Sequence, residues 1–180
     1  AHGGEVTSLV LVPSIADGVK IPVIAAGGFA DGRGLAAAMA LSAEGIAMGT
    51  RFMNTMESPV HDTMKKLSIE KQVYDTIYSD RIDGLWCRAM QSKGVDRLIK
   101  QKFYLIRALF NSRKAAEAFG FPWFKLLLAI MLSGYKKSKQ LARMANAFMA
   151  FRLSMEQGNL EKGVFLMGQV TGIINDTPTV

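Results

Sequence analysis

The sequence of 180 residues contains one cysteine, Cys87, and two histidines. A single cysteine excludes a disulfide within the chain, and no CxxC pair or cysteine/histidine cluster has the spacing of a zinc site. Cys87 has no activating neighbour in the sequence, and neither Ser8 nor Ser58 has histidine and aspartate partners at a meaningful spacing. We therefore predict a protein of a reducing compartment, the cytoplasm, with no metal site and no nucleophilic catalysis.

Long hydrophobic runs are also missing. The longest, residues 126–132, has seven apolar side chains, whereas a transmembrane helix needs about 20 residues. No charged start followed by an apolar stretch and a small-residue cleavage site is present, so the sequence predicts neither a membrane span nor secretion. The composition, 49% hydrophobic and 21% charged, excludes intrinsic disorder and favours one folded domain.

Acidic side chains are scarce in one part of the chain. Residues 88–152 contain 14 lysines and arginines but only two carboxylates, Asp96 and Glu117, although residues 1–60 carry a net charge of −2. Two interpretations are open: a solvated helix surface, or a surface for an anionic partner such as a phosphorylated carrier or an acidic protein. Nucleic acid binding is not predicted, because the aromatic residues here fall at helix-core spacing and no recognition motif accompanies them.

The first third of the chain contains a regular alternation of strand and helix patterns. The pattern predicts a short helix over residues 7–19 and a strand buried on both faces over 23–26. It then predicts an alanine-rich helix over 33–42, capped by Asp31, and a second strand over 45–48. A glycine turn follows each strand, first Gly27-Gly28 and then Gly49-Thr50. This order predicts an α/β fold with a βαβ unit and parallel strands.

After residue 57 the pattern predicts helices. Apolar side chains recur at helical spacing over residues 97–118, with Phe103 in the stripe, and again over residues 136–157. Between these segments, Gly120-Phe121-Pro122-Trp123 breaks the first helix, and residues 123–132 predict a buried helix or helical hairpin.

The two glycine turns are candidates for a ligand-binding site. Glycine lets the main chain approach a ligand closely, and backbone N–H groups at the ends of parallel strands can converge on one anion, aided by a helix N-terminus. Gly27, Gly28, Gly49 and Thr50 are therefore candidates for a phosphate cradle. The alternative is that these glycines only make tight turns, but two such turns at successive strand ends favour phosphate.

Longer motifs around these turns resemble the nitronate monooxygenase family, formerly called 2-nitropropane dioxygenases, which includes the FMN-dependent enoyl-acyl-carrier-protein reductase II. The motifs are His2-Gly3-Gly4-Glu5 with Thr7, AGGFADGRG at residues 26–34, MGTRF at residues 48–52 followed by Glu57, Ser58 and His61, and Gly168-Gln169 with Gly172. They match well over residues 1–66 and moderately over 158–178. The basic region between them matches loosely.

The resemblance implies the C-terminal part of an FMN-binding (β/α)₈ TIM barrel, comprising its last two strands and followed by a helical region. Residues 1–66 would belong to the barrel, 67–157 would form the basic helical region, and 158–180 would return toward the barrel. Such a barrel has eight strands in about 250 residues, and two strands do not make a stable sheet alone. We therefore expect the sequence to be a fragment of a longer protein.

By the same resemblance, His2 is the catalytic residue, facing the flavin as a base or a hydrogen-bonding group, since an imidazole accepts a proton near neutral pH. Gln169 joins the four cradle residues as a candidate FMN ligand. Arg51 has two interpretations, as a partner of the flavin phosphate or of Glu57. His61 is interpreted as a surface or helix-capping residue.

The function that the resemblance implies is FMN-dependent oxidation of alkyl nitronates with O₂ to a carbonyl compound and nitrite. An alternative is a reductase that uses NAD(P)H and FMN on an enoyl thioester, with acyl carrier protein or coenzyme A (CoA) docking at the basic region. A second alternative is a non-catalytic fragment or a binding module for an acidic partner. A homodimer is also compatible with the sequence.

Overall fold

The computed structural model describes residues 2–102, 104–118, 120, 122–132 and 134–180, so the predictions for Phe103 and Phe121 lie outside the described residues. The helices are α1 (Ser8–Gly18), α2 (Gly32–Ala40), α3 (Gly49–Met53), α4 (Asp62–Ile69), α5 (Lys93–Ile99), α6 (Tyr104–Ala118), α7 (Trp123–Leu132) and α8 (Tyr135–Gln157). The strands are β1 (Ile24–Ala26), β2 (Gly45–Ala47), β3 (Thr76–Ser79) and β4 (Cys87–Met90), and a 3₁₀ helix covers Gln169–Ile173. Among these described helices, none is both long and apolar enough to cross a membrane.

The predicted βαβ unit is confirmed. Strands β1 and β2 pair in parallel, with Ile24 opposite Gly45. The predicted cap of α2 is confirmed too, because the Asp31 carboxylate accepts hydrogen bonds from the N–H groups of Arg33 and Gly34 at 3.0 and 3.2 Å. The helices and strands of the unit share a small core of Val12, Ala25, Phe29, Ala38 and Ala43.

The outer face of this unit differs from the prediction. Only Ala25 of β1 is buried, whereas Ile24 is 58% exposed, so the prediction of a strand buried on both faces is wrong here. The physical reason is that β1 pairs with β2 alone, and no further strand covers it among the described residues. Leu9 of α1 and Ile21 before β1 are exposed as well. The βαβ unit therefore presents an uncovered apolar surface.

An antiparallel hairpin of β3 and β4 lies where the sequence predicts helices. Its register places Ser79 opposite Cys87, and Tyr78 stacks on Trp86 with ring centroids 5.1 Å apart. An isolated bridge adds His2 to the hairpin beside Cys87, so the N-terminal segment and the hairpin lie together. The hairpin joins α5, α8 and the C-terminal segment in a core of Ile82, Cys87, Ala89, Val95, Ala150 and Val164.

The helical region confirms the helix predicted over residues 136–157, which is α8, but departs from two other predictions. The helix predicted over residues 97–118 is two helices, α5 and α6. The predicted apolar faces are partly exposed, Phe110 by 69% and Leu128 by 60%. Helix α7 packs against α6 and α8, and its side chains Phe124, Leu128 and Leu132 are exposed.

The C-terminal segment ties the hairpin to the chain that follows β2. Met167 N–H donates to the carbonyl of Arg88 in β4 at 3.2 Å, and further along Arg51 pairs with Asp176 at 2.6 Å. The core beneath this segment consists of Val60, Met64, Met90, Phe165 and Met167. The segment thus runs from the hairpin to the end of β2, where the second glycine turn lies.

Candidate functional site

The two glycine turns lie at one edge of the β1–β2 sheet. Because the strands are parallel and Ala26 pairs with Ala47, Gly27-Gly28 and Gly49-Thr50 follow the same ends of adjacent strands. Gly27 and Gly28 have φ angles of +96° and +88°, in the left-handed region that favours glycine. Ser8 Oγ donates to the carbonyl of Gly27 at 2.7 Å, which holds the first turn against the start of α1.

The 3₁₀ helix lies beside both turns. Gly168 N–H donates to Thr50 Oγ1 at 2.9 Å, and Val170 forms a buried cluster with Ala30, two residues after the first turn. The structure therefore brings Gln169 to the same sheet edge as the four cradle candidates. The Gln169 side chain is exposed, and its Nε2 lies 3.5 Å from the carbonyl of Val73, at the long limit of a hydrogen bond.

These turns have room for a ligand. A Cβ atom built on Gly28 or on Gly49 meets no heavy atom within 4 Å. Thr50 accepts from Gly168, and its own hydroxyl hydrogen has no acceptor among the described residues. Open glycine turns together with hydroxyl and amide donors are the surroundings that a phosphate requires. The open space at Gly28 and Gly49 and the hydroxyl of Thr50 are compatible with a phosphate such as that of FMN.

The N-terminus of α2 is capped by a side chain of the protein itself. The Asp31 carboxylate already accepts from two of its first N–H groups and forms an ion pair with Arg33 at 2.6 Å. The side-chain hydrogen bonds from Arg33, followed by the backbone bond from Gly34, hold the pKa of Asp31 below its ordinary value. The help expected from a helix N-terminus stays a prediction, and at α2 the Asp31 carboxylate already uses two of the N–H groups.

His2 lies at the hairpin and not at the glycine turns. Its Nε2 lies 2.6 Å from Oδ2 of Asp83. The Asp83 side chain is buried, whereas the His2 side chain is 47% exposed. Within the described ranges no hydrogen bond or ion pair joins His2 to the five cradle candidates. The imidazole therefore has one nitrogen held by a buried carboxylate and the other, Nδ1, without a hydrogen-bond partner in the described part of the chain.

The sequence does not reveal Asp83 as a candidate. It lies 81 residues from His2, in the turn of a hairpin that the hydrophobic pattern does not predict. Its second oxygen, Oδ1, accepts from the N–H of Leu85 at 3.0 Å, so the carboxylate is fixed at both oxygens. The Asp83-Gly84 pair, with Gly84 at φ +94°, is a turn signal that could have indicated the hairpin.

Cys87 completes a cluster with these two residues. One ligand atom each from His2, Asp83 and Cys87 lie within 4.8 Å of one another, a spacing that could supply three ligands to a metal ion. Burial, followed by the charge of Asp83, raises the pKa of Cys87 to about 12. The free thiol is therefore protonated at neutral pH and lies 3.7 Å from Asp83 Oδ1 as a weak donor. The absence of a metal site stays a prediction.

Two further candidates have structural partners. His61 accepts from the N–H of Thr63 at 3.2 Å at the start of α4, which confirms its interpretation as a capping residue. Arg51 pairs with Asp176, so the interpretation of Arg51 as a partner of Glu57 is wrong. The physical reason is that the C-terminal segment brings in a carboxylate from 125 residues away. The Nε of Arg51 is buried and has no acceptor among the described residues.

Comparison with known proteins decides the family. The family model described as nitronate monooxygenase matches residues 1–180. The chain belongs to the nitronate monooxygenase family. The resemblance carried by the motifs is thereby confirmed, and the family match also includes the basic region between them.

Individual relatives match the chain to different extents. A Rhodococcus jostii (strain RHA1) protein named (3aS,4S,5R,7aS)-5-hydroxy-7a-methyl-1-oxo-octahydro-1H-indene-4-carboxyl-CoA dehydrogenase is 39% identical over 183 residues, 99% of this chain and 52% of that protein. A probable nitronate monooxygenase of Staphylococcus haemolyticus (strain JCSC1435) is 40% identical over 88 residues, 49% of this chain and 25% of that protein.

A solved structure resembles the fold. FabK from Thermotoga maritima has a TM-score of 0.69 and 31% identity, over 99% of this chain and 46% of the FabK chain. The chain therefore has an α/β fold similar to part of FabK. It spans about half the length of FabK and of the Rhodococcus protein.

Proposed function

We propose that this chain is part of an FMN-dependent oxidoreductase whose substrate is a CoA thioester. The observation that carries the proposal is the extent of similarity. The relative named as a CoA dehydrogenase matches 99% of the chain, basic region included, whereas the Staphylococcus haemolyticus nitronate monooxygenase matches 49%. CoA is anionic, and the excess of lysine and arginine over residues 88–152 would attract it.

Oxidation of an alkyl nitronate, the activity that the motifs first imply, is the second candidate. The family description favours it, as does the 40% identity with a probable nitronate monooxygenase over 88 residues. Both candidates need the same cofactor and the same proton-accepting group, so the substrate is what separates them.

We infer that the chain forms the C-terminal part of a (β/α)₈ barrel, with β1 and β2 as its last two strands. The ligand candidates follow the carboxyl ends of parallel strands, where such barrels have their sites. The uncovered apolar surface at Ile24 and Leu9, exposed by 58% and 70%, supports the inference, because the preceding part of a barrel would cover it.

In this proposal the cradle holds FMN by its phosphate. Gly27, Gly28 and Gly49 would admit the phosphate, while Thr50 and Gln169 would donate to its oxygens. FMN, when bound, supplies the redox chemistry of the reaction.

His2 is the proposed proton carrier. Asp83 accepts from Nε2–H, which assigns the lone pair of a neutral imidazole to Nδ1. That nitrogen can take a proton from the substrate, and the carboxylate of Asp83 stabilises the imidazolium that forms. Asp83 is therefore a positioning residue that acts through His2.

The test compares substrates on the full-length, FMN-loaded protein. Turnover of a cyclic hydroxyacyl-CoA thioester with an added electron acceptor is set against O₂ uptake with ethyl nitronate. We expect kcat/KM for the thioester to exceed that for the nitronate by orders of magnitude. The reverse ranking would establish the second candidate, and a protein that retains no flavin and turns over neither substrate would be the non-catalytic binding module.

A further inference from the structure

Two adjoining cavities open between α5, α6 and α8. They have volumes of about 540 and 350 Å³ and share Arg97, Gln101 and Arg107 in their walls. Together they are called the α5–α6–α8 cleft. Six cationic side chains line it: Arg97, Lys100, Lys102, Arg107, Lys114 and Lys162.

The charge in this cleft is unbalanced. No carboxylate lines it among the described residues, and within those ranges none of its six cations forms an ion pair. Some cations elsewhere in the basic region are paired, as Arg113 is with Glu117 at 3.2 Å and Arg152 with Glu156 at 2.8 Å. Unpaired cations around a concave surface reinforce one another's potential and attract an anion. This arrangement favours an anion site over an ordinary solvated helix surface.

Gln101 supplies a second, independent indication of a ligand. Its Nε2 is buried and donates to no acceptor among the described residues, and its side chain lines both cavities. A buried donor without an acceptor is costly, and a ligand oxygen at this position would remove the cost. The wall beside it is held in place by the hydrogen bond from Asn111 Nδ2 to Asn146 Oδ1, 2.8 Å, between α6 and α8.

The rest of the lining limits what the ligand can be. Part of the wall is apolar, formed by Leu98, Met149, Ala150 and Leu153, which suits a flat heterocycle. The volume lies in the range of small-molecule sites, about 300–1,000 Å³. A concave site of this size, apolar on one side and cationic on the other, fits a nucleotide better than the convex surface of a folded carrier protein.

We propose that the α5–α6–α8 cleft binds the 3′-phosphorylated ADP part of coenzyme A. The lysines and arginines would contact its three phosphates, Gln101 would donate to a phosphate oxygen, and the adenine would lie against the apolar wall. This inference rests on the proposed function, in which a CoA thioester is the substrate. It adds the position of the nucleotide, on elements separate from the glycine turns and from His2.

The test uses the full-length, FMN-loaded protein and the double variant Arg97→Gln/Arg107→Gln. We expect this variant to bind coenzyme A about tenfold or more weakly by calorimetry, with flavin content unchanged. The KM for the CoA thioester should rise with kcat unchanged. For the same acyl group on pantetheine, which lacks the nucleotide, both constants should be the same in variant and wild type. Arg113→Gln/Arg152→Gln removes the same charge outside the cleft and serves as the matched control.

The outcomes separate this inference from the proposed function. If thioesters are turned over but the cleft variant and the control weaken coenzyme A equally, the cleft proposal is wrong and the proposed function stands. If no thioester is turned over, calorimetry with coenzyme A alone still decides about the cleft. Loss of binding in Arg97→Gln/Arg107→Gln alone supports it, and absence of binding to the wild type contradicts it. Preference for an acyl carrier protein over coenzyme A, lost in the same variant, would also overturn it.

Discussion

The imidazole of His2 donates one short hydrogen bond, 2.6 Å from Nε2 to Oδ2 of the Asp83 carboxylate, across 81 residues of sequence. Asp83 is 4% exposed, and its other oxygen is fixed by the N–H of Leu85. A carboxylate held in this way orients the imidazole and selects its tautomer. The first prediction follows from this pair.

Replacement of Asp83 by asparagine removes the charge but keeps the shape of the side chain. We expect kcat to fall by about 10- to 100-fold, the effect of losing a hydrogen bond to a charged group, while flavin content is unchanged. Asp62→Asn, which removes an exposed carboxylate on α4, is the control. An unchanged kcat in Asp83→Asn would exclude the positioning role.

The second prediction concerns Gly28. Replacement by valine should abolish FMN retention, because the side chain would fill the open space beside the turn and because φ is +88°. Asparagine tolerates a left-handed conformation better than valine does. Gly28→Asn therefore separates filling of the open space from backbone strain. Gly18→Val at the end of α1, where a Cβ also meets nothing within 4 Å, is the matched control. Purified Gly28→Val with a full complement of FMN would contradict the cradle.

The cap of α2 gives a prediction about pH. The pKa of Asp31 is lowered, so its stabilising effect is present above its ordinary value near 3.8 and is lost as pH falls below it. The difference in Tm between wild type and Asp31→Ala should therefore be largest near neutral pH and disappear in acid. Asparagine keeps a capping oxygen, so the Tm of Asp31→Asn should be closer to that of the wild type than the Tm of Asp31→Ala is. A difference in Tm that persists in acid would contradict this account of the cap.

Cys87 should be an inert thiol. A pKa of about 12 against an ordinary value of 9.0 makes the reactive thiolate about a thousandfold rarer at neutral pH. Alkylation by iodoacetamide at pH 8 should therefore be slow in the folded protein and fast after unfolding in urea, as followed by intact mass. Rapid stoichiometric labelling of the native protein would show that the thiol is neither buried nor protonated.

Local signals account for the part of the fold that the sequence predicts correctly. The glycine turns, the cap at Asp31 and the apolar strand before Gly27 each act over a few residues, and together they define the βαβ unit. The cap at His61 is local as well. The four residues Gly27, Gly28, Gly49 and Thr50 meet at one sheet edge because parallel pairing follows from that order of elements.

Features that depend on distant pairing are not predictable in this way. The hairpin has strands of four residues each, and it is held by residues from both ends of the chain, such as His2 and Leu166. Asp83 and Asp176 become partners of His2 and Arg51 only in the folded chain. The prediction that β1 is buried on both faces is wrong at Ile24 for another reason. The hydrophobic pattern shows which side chains are apolar, but not which element covers them.

The most direct measurement of the central claim is anaerobic mixing of the full-length, FMN-loaded protein with a CoA thioester, followed by the visible absorbance of the flavin. We expect rapid bleaching by a cyclic hydroxyacyl-CoA, much slower bleaching in His2→Ala, and little with ethyl nitronate. Bleaching by the nitronate alone, with the thioester inert, would contradict it.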